Sequence, residues 1–282
     1  MGVFDRHGAA LVASLCFSIL AMSPPASAQS QADVARGKYL AAIGICESCH
    51  TPKDASGKTI ASRYLAGGGK VGGLNTSNLT SDRETGLGDW TDAQIIDAIR
   101  NGKRPDGAPV RPPMGVFFYR DLSDADLRAI VAYLRTVPAI QNKVERLPSR
   151  GADPVYEPVT HAPEPDRANA TAYGKYLAQT VAHCFQCHTP RKDGRPDLAR
   201  LGGGGNTYTA PGGGTVVASN ITPARLGSWS DAQIKAAITK GVRADGGRLV
   251  PVMDFELYDR MTPEDLSMVV AYLRTIPAVA EP

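Results

Sequence analysis

The 282-residue sequence has few aromatic side chains, few cysteines and no long apolar run in its main part. Phe, Trp and Tyr make up 6% of the residues, which leaves little bulk for the cores of small domains. No run of about eighteen or more apolar residues follows Ala28, so we expect membrane contact only through a partner. Lys and Arg form no cluster, and nucleic-acid binding is therefore not expected.

The most specific pattern in the chain is Cys-x-x-Cys-His, which occurs at Cys46–His50 and again at Cys184–His188. In this motif two cysteines form thioethers with haem vinyl groups, and the histidine ligates the iron. A zinc site would need a second ligand pair close by, and a redox-active cysteine pair would not need the histidine. The sequence therefore predicts two covalently bound haem c groups. The predicted attachment residues are Cys46, Cys49, His50, Cys184, Cys187 and His188.

The N-terminus has the pattern of a cleaved secretory signal peptide, residues 1–28. Arg6 precedes an apolar run that ends at Met22, and Ala26 and Ala28 form a small-residue cleavage site. A membrane anchor is the alternative, but the run is too short to span a bilayer comfortably. Cleavage after Ala28 removes one of five cysteines, and the other four belong to the haem motifs. We therefore expect export to a bacterial periplasm and no structural disulfide.

The rest of the chain is an internal duplication. The segment Trp90–Ile95 corresponds to Trp229–Ile234, and Ala132–Ala139 corresponds to Ala271–Ala278. Two copies are too few for a solenoid, so two independent domains are predicted. The boundaries are domain 1 over residues 29–140, a proline-rich linker over 141–169, and domain 2 over 170–282. Proline fixes φ and removes backbone donors, so the linker is predicted to be extended, with Val155 and Tyr156 able to contact a domain surface.

Each half is predicted to form three main helices and long loops around one haem, which makes the fold all-α. The first helix is predicted at Ala32–Ile43 and Ala172–Val181. The second follows the tryptophan, and the third covers Ser123–Arg135 in the first half. The predicted N-cap residues are Thr91, Ser123, Ser230 and Thr262.

Methionine is the usual second axial ligand of iron in c-type electron carriers. Met114 and Met253 occupy equivalent positions after a proline-containing segment, so the predicted iron ligands are His50 with Met114 and His188 with Met253. Met261 and Met268 have no methionine at the equivalent position and are interpreted as core residues.

Other polar residues are weaker candidates for the haem sites. His183 is interpreted as a surface or propionate-contacting residue, and His161 as a solvated linker residue that could replace a methionine ligand. Asn78 and Asn220 are candidates for hydrogen bonds to a propionate. The glycine-rich stretches at Gly67 and Gly202 lack phosphate-loop spacing and are interpreted as tight loops near a haem.

These motifs together resemble a tandem of class I cytochrome c domains, similar to the cytochrome c subunits of bacterial dehydrogenases for alcohols, aldehydes and sugar acids. The resemblance implies that Gly37 and Gly174 let the first helix cross the last near Tyr133 and Tyr272. Such subunits often carry three haems and sometimes a membrane-binding tail, whereas this sequence has two motifs and ends at Pro282, so direct membrane docking is not expected. The resemblance rests on Cys46–His50, Asn78–Thr80, Gly88–Thr91, Pro112–Met114, Leu122–Leu127 and Ala132–Leu134, and on their counterparts through Met253 and Tyr272.

The predicted function is electron transfer from a periplasmic or membrane-bound dehydrogenase to a downstream cytochrome or terminal oxidase. No catalytic residue is predicted. The alternatives are a dihaem redox enzyme, either a peroxidase or a sulfur-compound dehydrogenase, and a free electron shuttle. A peroxidase needs an iron open to substrate, and a thiolate-ligated sulfur enzyme needs a fifth cysteine. The matched Met114 and Met253 argue against both enzymes.

Overall fold

The computed structural model describes residues 1–2, 26–148 and 153–281, and it describes side chains of the first helix from residue 30 onward. Most of the predicted signal peptide lies outside these residues. The first helix begins at Ala26, earlier than the predicted Ala32, and ends at Ile43 as predicted. Within the described part of the chain, no helix has both the length and the apolar character needed to cross a bilayer.

The N-terminal half consists of short and medium helices connected by long loops. Its elements are α1 (Ala26–Ile43), α2 (Cys46–His50), a 3₁₀ turn (Ala61–Arg63), the antiparallel pair β1 (Lys70–Val71) and β2 (Leu74–Asn75), α3 (Asp92–Arg100), α4 (Val116–Tyr119) and α5 (Asp124–Thr136). Val71 lies opposite Leu74, and Lys70 lies opposite Asn75.

The C-terminal half repeats this order with one additional hairpin and one additional short helix. Its elements are α6 (Ala170–Lys175), a π-helix (Tyr176–Val181), α7 (Cys184–His188), β3 (Arg191–Lys192), β4 (Arg195–Pro196), a 3₁₀ turn (Leu198–Arg200), β5 (Thr207–Thr209), β6 (Thr215–Val217), α8 (Pro223–Leu226), α9 (Asp231–Lys240), α10 (Phe255–Tyr258) and α11 (Pro263–Leu273). The two hairpins pair β3 with β4 and β5 with β6, both antiparallel. The fold is therefore mainly helical as predicted, and the short hairpins and the π-helix are features that the sequence pattern did not predict.

The predicted N-caps are confirmed. Thr91 accepts a hydrogen bond from the backbone N–H of Gln94 at 3.2 Å, and the Gln94 side chain returns one to the Thr91 N–H at 2.8 Å, which forms a capping box at α3. Ser230 and Gln233 form the same pair at α9. At α5, Ser123 accepts from the backbone N–H of Asp126 at 3.1 Å, but the Asp126 carboxylate points away toward the other half of the molecule.

Two glycines allow the first and last helices of each half to cross in close contact. A Cβ atom at Gly37 would lie 1.8 Å from the carbonyl oxygen of Ala129 on α5. A Cβ atom at Gly174 would lie 1.9 Å from the carbonyl oxygen of Met268 on α11. Only glycine fits at such a crossing, so the crossing that the resemblance implied is confirmed. Met261 is buried in the core and Met268 packs against it, as interpreted.

The two halves share one continuous buried apolar cluster, whereas the duplication predicted two independent domains. Their contacts follow the duplication. Tyr39 of the first half donates to Asp265 of the second at 2.5 Å, and the equivalent Tyr176 donates to Asp126 of the first half at 2.7 Å. Arg36 binds both oxygens of Asp126, at 2.9 and 2.8 Å, and donates to the Tyr173 hydroxyl at 3.0 Å. The interface therefore has an approximate twofold character.

The described part of the proline-rich linker contains no helix or strand and follows the surface of the N-terminal half. Val159 donates its backbone N–H to the Asn101 side chain at 2.8 Å, and Asp153 forms an ion pair with Arg111 at 2.7 Å. The Tyr156 ring covers Gly102, and a Cβ atom at Gly102 would lie only 2.6 Å from the Tyr156 Cε2 atom. Val155 stays exposed. Tyr156 provides the predicted contact with the domain surface.

Candidate functional site

Each haem motif forms a one-turn helix that follows the long first helix after a sharp turn. The turn residues Ile45 and His183 have left-handed backbone conformations, with φ of 51° and 36°. In a helix, residues three apart lie on the same face, so the two cysteines of each motif point to one side, as two neighbouring vinyl groups require. None of the four described cysteines forms a disulfide. Before attachment to haem, burial raises the pKa of the Cys46 and Cys184 thiols to about 12.

The two motif histidines have identical partners. The Nδ1 atom of His50 lies 2.8 Å from the carbonyl oxygen of Ser77, and that of His188 lies 2.7 Å from the carbonyl oxygen of Ser219. A carbonyl can only accept, so Nδ1 carries the proton and Nε2 keeps its lone pair. Burial lowers the pKa of both imidazoles, which keeps them neutral. This is the arrangement of a metal-ligating histidine oriented by its backbone partner.

The glycine-rich loops set the position of these carbonyl groups. Gly67, at φ +70°, donates its N–H to the His50 carbonyl at 2.7 Å, and a Cβ atom there would lie 2.5 Å from the Ser77–Asn78 backbone. Gly204 donates to the His188 carbonyl at 2.8 Å in the same way. The interpretation as tight loops is confirmed: they hold the motif against the segment that orients the histidine.

Asn78 and Asn220 are structural residues. Asn78 donates to Thr85 at 3.1 Å and to the Ile140 carbonyl at 2.8 Å, and its side-chain oxygen accepts from Thr80 at 2.8 Å. Asn220 donates to the Val279 carbonyl at 2.7 Å. Both side chains are buried. These amides join the loop to the segment after the last helix, and the two contacts of Asn78 use both of its side-chain N–H groups. A contact between either residue and a propionate stays a prediction.

Met114 and Met253 are half-buried and pack against the shared apolar cluster. Each lies just before a one-turn helix, α4 or α10. The hydroxyl of Tyr119 on α4 donates to the Gly44 carbonyl at 2.7 Å, and that of Tyr258 on α10 donates to the Ala182 carbonyl at 3.3 Å. These bonds join each methionine segment to the turn that precedes the haem motif of its own half.

The other two histidines of the described chain have different environments. His161 is exposed and bonded through Nδ1 to Asp124, so it is a linker residue as interpreted. Burial would raise the pKa of Asp124, but hydrogen bonds from His161 and Arg100 outweigh it and lower that pKa to about 2. His183 is buried, at 9% exposure, with its ring perpendicular to that of Tyr119 at 5.1 Å between centroids. The interpretation of His183 as a surface residue is wrong.

Arg104 offers one test of whether a porphyrin fits the first half. Its guanidinium lies over the Trp90 ring at 5.2 Å, and Nη1 donates to the Ser77 hydroxyl at 3.3 Å. Its Nε atom is buried without a hydrogen-bond partner. Burial and the nearby Arg146 lower the pKa of Arg104. The Asp106 carboxylate lies 3.8 Å from Nε, close enough to offset part of the charge but too far for a hydrogen bond. A haem propionate would fit here because it could supply that bond.

Comparison with known proteins agrees with this geometry. Residues 32–134 match the family of cytochrome c oxidase, cbb3-type, subunit III, and residues 171–277 match the cytochrome c family. A diheme c-type cytochrome of Cereibacter sphaeroides is 30% identical, with 88% of this chain and 87% of the relative aligned.

Two further relatives are subunits of dehydrogenases. The fructose dehydrogenase cytochrome subunit of Gluconobacter japonicus is 31% identical over 91% of this chain and 55% of its own length. The cytochrome c subunit of a quinone-type alcohol dehydrogenase of Gluconobacter oxydans is also 31% identical, over 98% of this chain and 62% of its own length. The chain therefore spans less than two thirds of the length of these two relatives.

Proposed function

Because this chain belongs to the dihaem c-type cytochromes and carries two covalently bound haem c groups, we propose that it transfers electrons from a dehydrogenase partner to a downstream cytochrome or terminal oxidase in the periplasm. One observation carries the proposal. In both halves the motif histidine donates Nδ1–H to a backbone carbonyl, leaving Nε2 for iron. The first cysteine of each motif and both methionines pack against one shared apolar cluster, which supports two centres held in one folded body.

A bound haem c supplies one-electron chemistry through the ferrous and ferric states of its iron. The residues of the chain fix the environment of that iron. The predicted thioether residues are Cys46 and Cys49 in one half and Cys184 and Cys187 in the other. His50 with Met114, and His188 with Met253, are the residues that would hold the two irons. A thioether ligand favours the ferrous state and raises the reduction potential.

The assignment of a dehydrogenase partner is supported by the relatives that are named as dehydrogenase subunits. The periplasmic location is supported by the predicted signal peptide. Methionine ligation would close both irons to substrate. The chain's own residues would then orient the ligands, exclude water and present haem edges to partner proteins.

The experiment that tests this proposal is purification of the tagged, haem-loaded chain from its native host in mild detergent. Proteins that come with it are identified by mass spectrometry, and fructose, ethanol or gluconate is added while haem absorbance is followed. We expect a dehydrogenase to co-purify and its substrate to reduce both haems. The control is the chain stripped of its partner, which should not be reduced. Purification without a dehydrogenase, or turnover of hydrogen peroxide by the chain alone, would contradict the proposal.

A further inference from the structure

The third residue of each haem motif contacts the methionine segment of the opposite half. Ser48 donates its hydroxyl hydrogen to Asp254 at 2.7 Å, and Asp254 directly follows Met253. Gln186, which the duplication aligns with Ser48, donates from Nε2 to the Pro113 carbonyl at 2.6 Å, and Pro113 directly precedes Met114. The two contacts are therefore crossed: each motif holds the segment that carries the other half's methionine.

The sizes of the contacting residues are complementary on the two sides. Asp254 is equivalent to Gly115 in the duplication. The short Ser48 faces the longer Asp254, whereas the long Gln186 faces Gly115, where a Cβ atom would lie 2.6 Å from the Gln186 Oε1 atom. That oxygen is buried and has no hydrogen-bond donor. Gln186 therefore keeps its place through one strong bond and close packing, and a larger residue at Gly115 would displace it.

Further contacts hold the first motif in this position. Glu47, next to Ser48, forms two hydrogen bonds with Arg260 of the opposite half, both 3.0 Å long. Arg260 lies just after α10, the helix that follows Met253. The segment of Met253 is thus held by the first motif at both ends.

Resting on the proposed ligation of iron by Met114 and Met253, we propose that Ser48 and Gln186 are positioning residues for the methionine of the opposite half. A thioether is a neutral, weak ligand, so its bond to iron depends on how firmly the chain around it is held. Releasing the segment weakens that bond and lowers the reduction potential of that haem. The potential of each haem is therefore set in part by the motif that attaches the other.

The test is a redox titration of the haem-loaded variants S48A and Q186A, followed by absorbance and by the far-red sulfur–iron band. The variants M114H and M253H show which potential belongs to which half. We expect S48A to lower the reduction potential of the second-half haem, which M253H also lowers. Q186A should lower the reduction potential of the first-half haem, which M114H also lowers. Each substitution should also cause partial loss of the sulfur–iron band. Neither substitution changes the net charge, and S48T, which keeps the hydroxyl donor, should behave like the wild type.

The outcomes separate this inference from the proposed ligation. The inference alone is wrong if S48A and Q186A each change only the reduction potential of their own half. It is also wrong if M114H and M253H change the potentials and the band but S48A and Q186A change neither. If M114H and M253H also leave both potentials and the band unchanged, the methionine ligation itself is wrong and the inference falls with it.

Discussion

At the residue scale, the clearest difference between the two halves is the residue that precedes each haem motif. Ile45 and His183 share a left-handed backbone conformation. An isoleucine is at no disadvantage in a buried site, but a histidine must give up its charge there. Burial lowers the pKa of His183 from 6.5 to about 4, although a hydrogen bond to the Gly44 backbone opposes the shift. The site therefore penalises protonation.

This environment predicts that His183 makes stability fall in mild acid. Below pH 6.5 the unfolded chain binds a proton at His183 that the folded chain accepts only near pH 4, so stability is lost between these values. From the 1.36 kcal/mol per pKa unit, the loss at pH 4 is about 3 kcal/mol relative to pH 8. The H183I variant, which copies the residue of the first half, should lack this part of the pH dependence. Denaturant unfolding of both haem-loaded proteins at several pH values measures this dependence. If the free energy of unfolding of H183I falls with pH as steeply as that of the wild type, the prediction is contradicted.

At the scale of elements, the crossing of α1 over α5 depends on Gly37. Two effects of a G37A substitution have opposite signs. Helix propensity alone would stabilise the protein by about 1 kcal/mol. The added methyl group, however, would lie 1.8 Å from the Ala129 carbonyl oxygen, and the helices would have to separate.

We expect packing to outweigh propensity, so G37A should lower the free energy of unfolding by about 1–3 kcal/mol. G174A should behave in the same way, because its methyl group would meet the Met268 carbonyl. The control is G107A, where the space around Cβ is open and only the positive φ is unfavourable. Thermal unfolding of the three variants provides the comparison, and stabilisation by G37A would show that the helices are not in close contact.

The elements show which features could be predicted from sequence. The caps Thr91 and Ser230 were predictable because capping is a local interaction between residues three apart. The π-helix at Tyr176–Val181 was not, because the apolar pattern of these residues is the same as that of an α-helix. The same holds for His183, whose burial depends on Tyr119 from a distant part of the chain. The motif residues were found because their spacing alone carries the chemistry.

At the scale of the whole molecule, a buried polar cluster joins the halves: Tyr173 and Tyr176 of the second half bond to the Arg36–Asp126 ion pair of the first. Asp126 keeps 3% side-chain exposure, and Arg36 binds both of its oxygens while contacting Tyr173 of the other half. Nothing in the sequence could pair these residues, because each alone has the pattern of a surface position on an amphipathic helix. The interface was therefore the largest part of the architecture that remained unpredicted.

The shared core predicts that the haem-loaded protein unfolds in one transition. R36A should lower the free energy of unfolding by about 3 kcal/mol, because it leaves a buried carboxylate without its cation. R83A is the matched control: the Arg83–Asp89 pair is exposed, at 84% and 57%, and its loss should leave the midpoint nearly unchanged. Calorimetry measures both effects. Equal midpoints for R36A and R83A would show that the buried ion pair contributes no more stability than the exposed one. Two separate transitions in the wild type would contradict the shared core.

The crossed contacts give the molecule the form of a symmetric homodimer fused into one polypeptide. In a true homodimer every mutation appears on both sides of the interface, so a change must suit both copies at once. Fusion removes that constraint, so the residues on each side can change alone. Two pairs of equivalent positions show this: Arg36 in the first half corresponds to Tyr173 in the second, and Ser48 corresponds to Gln186. Two centres that began alike can thereby acquire different properties while the contact between them is kept.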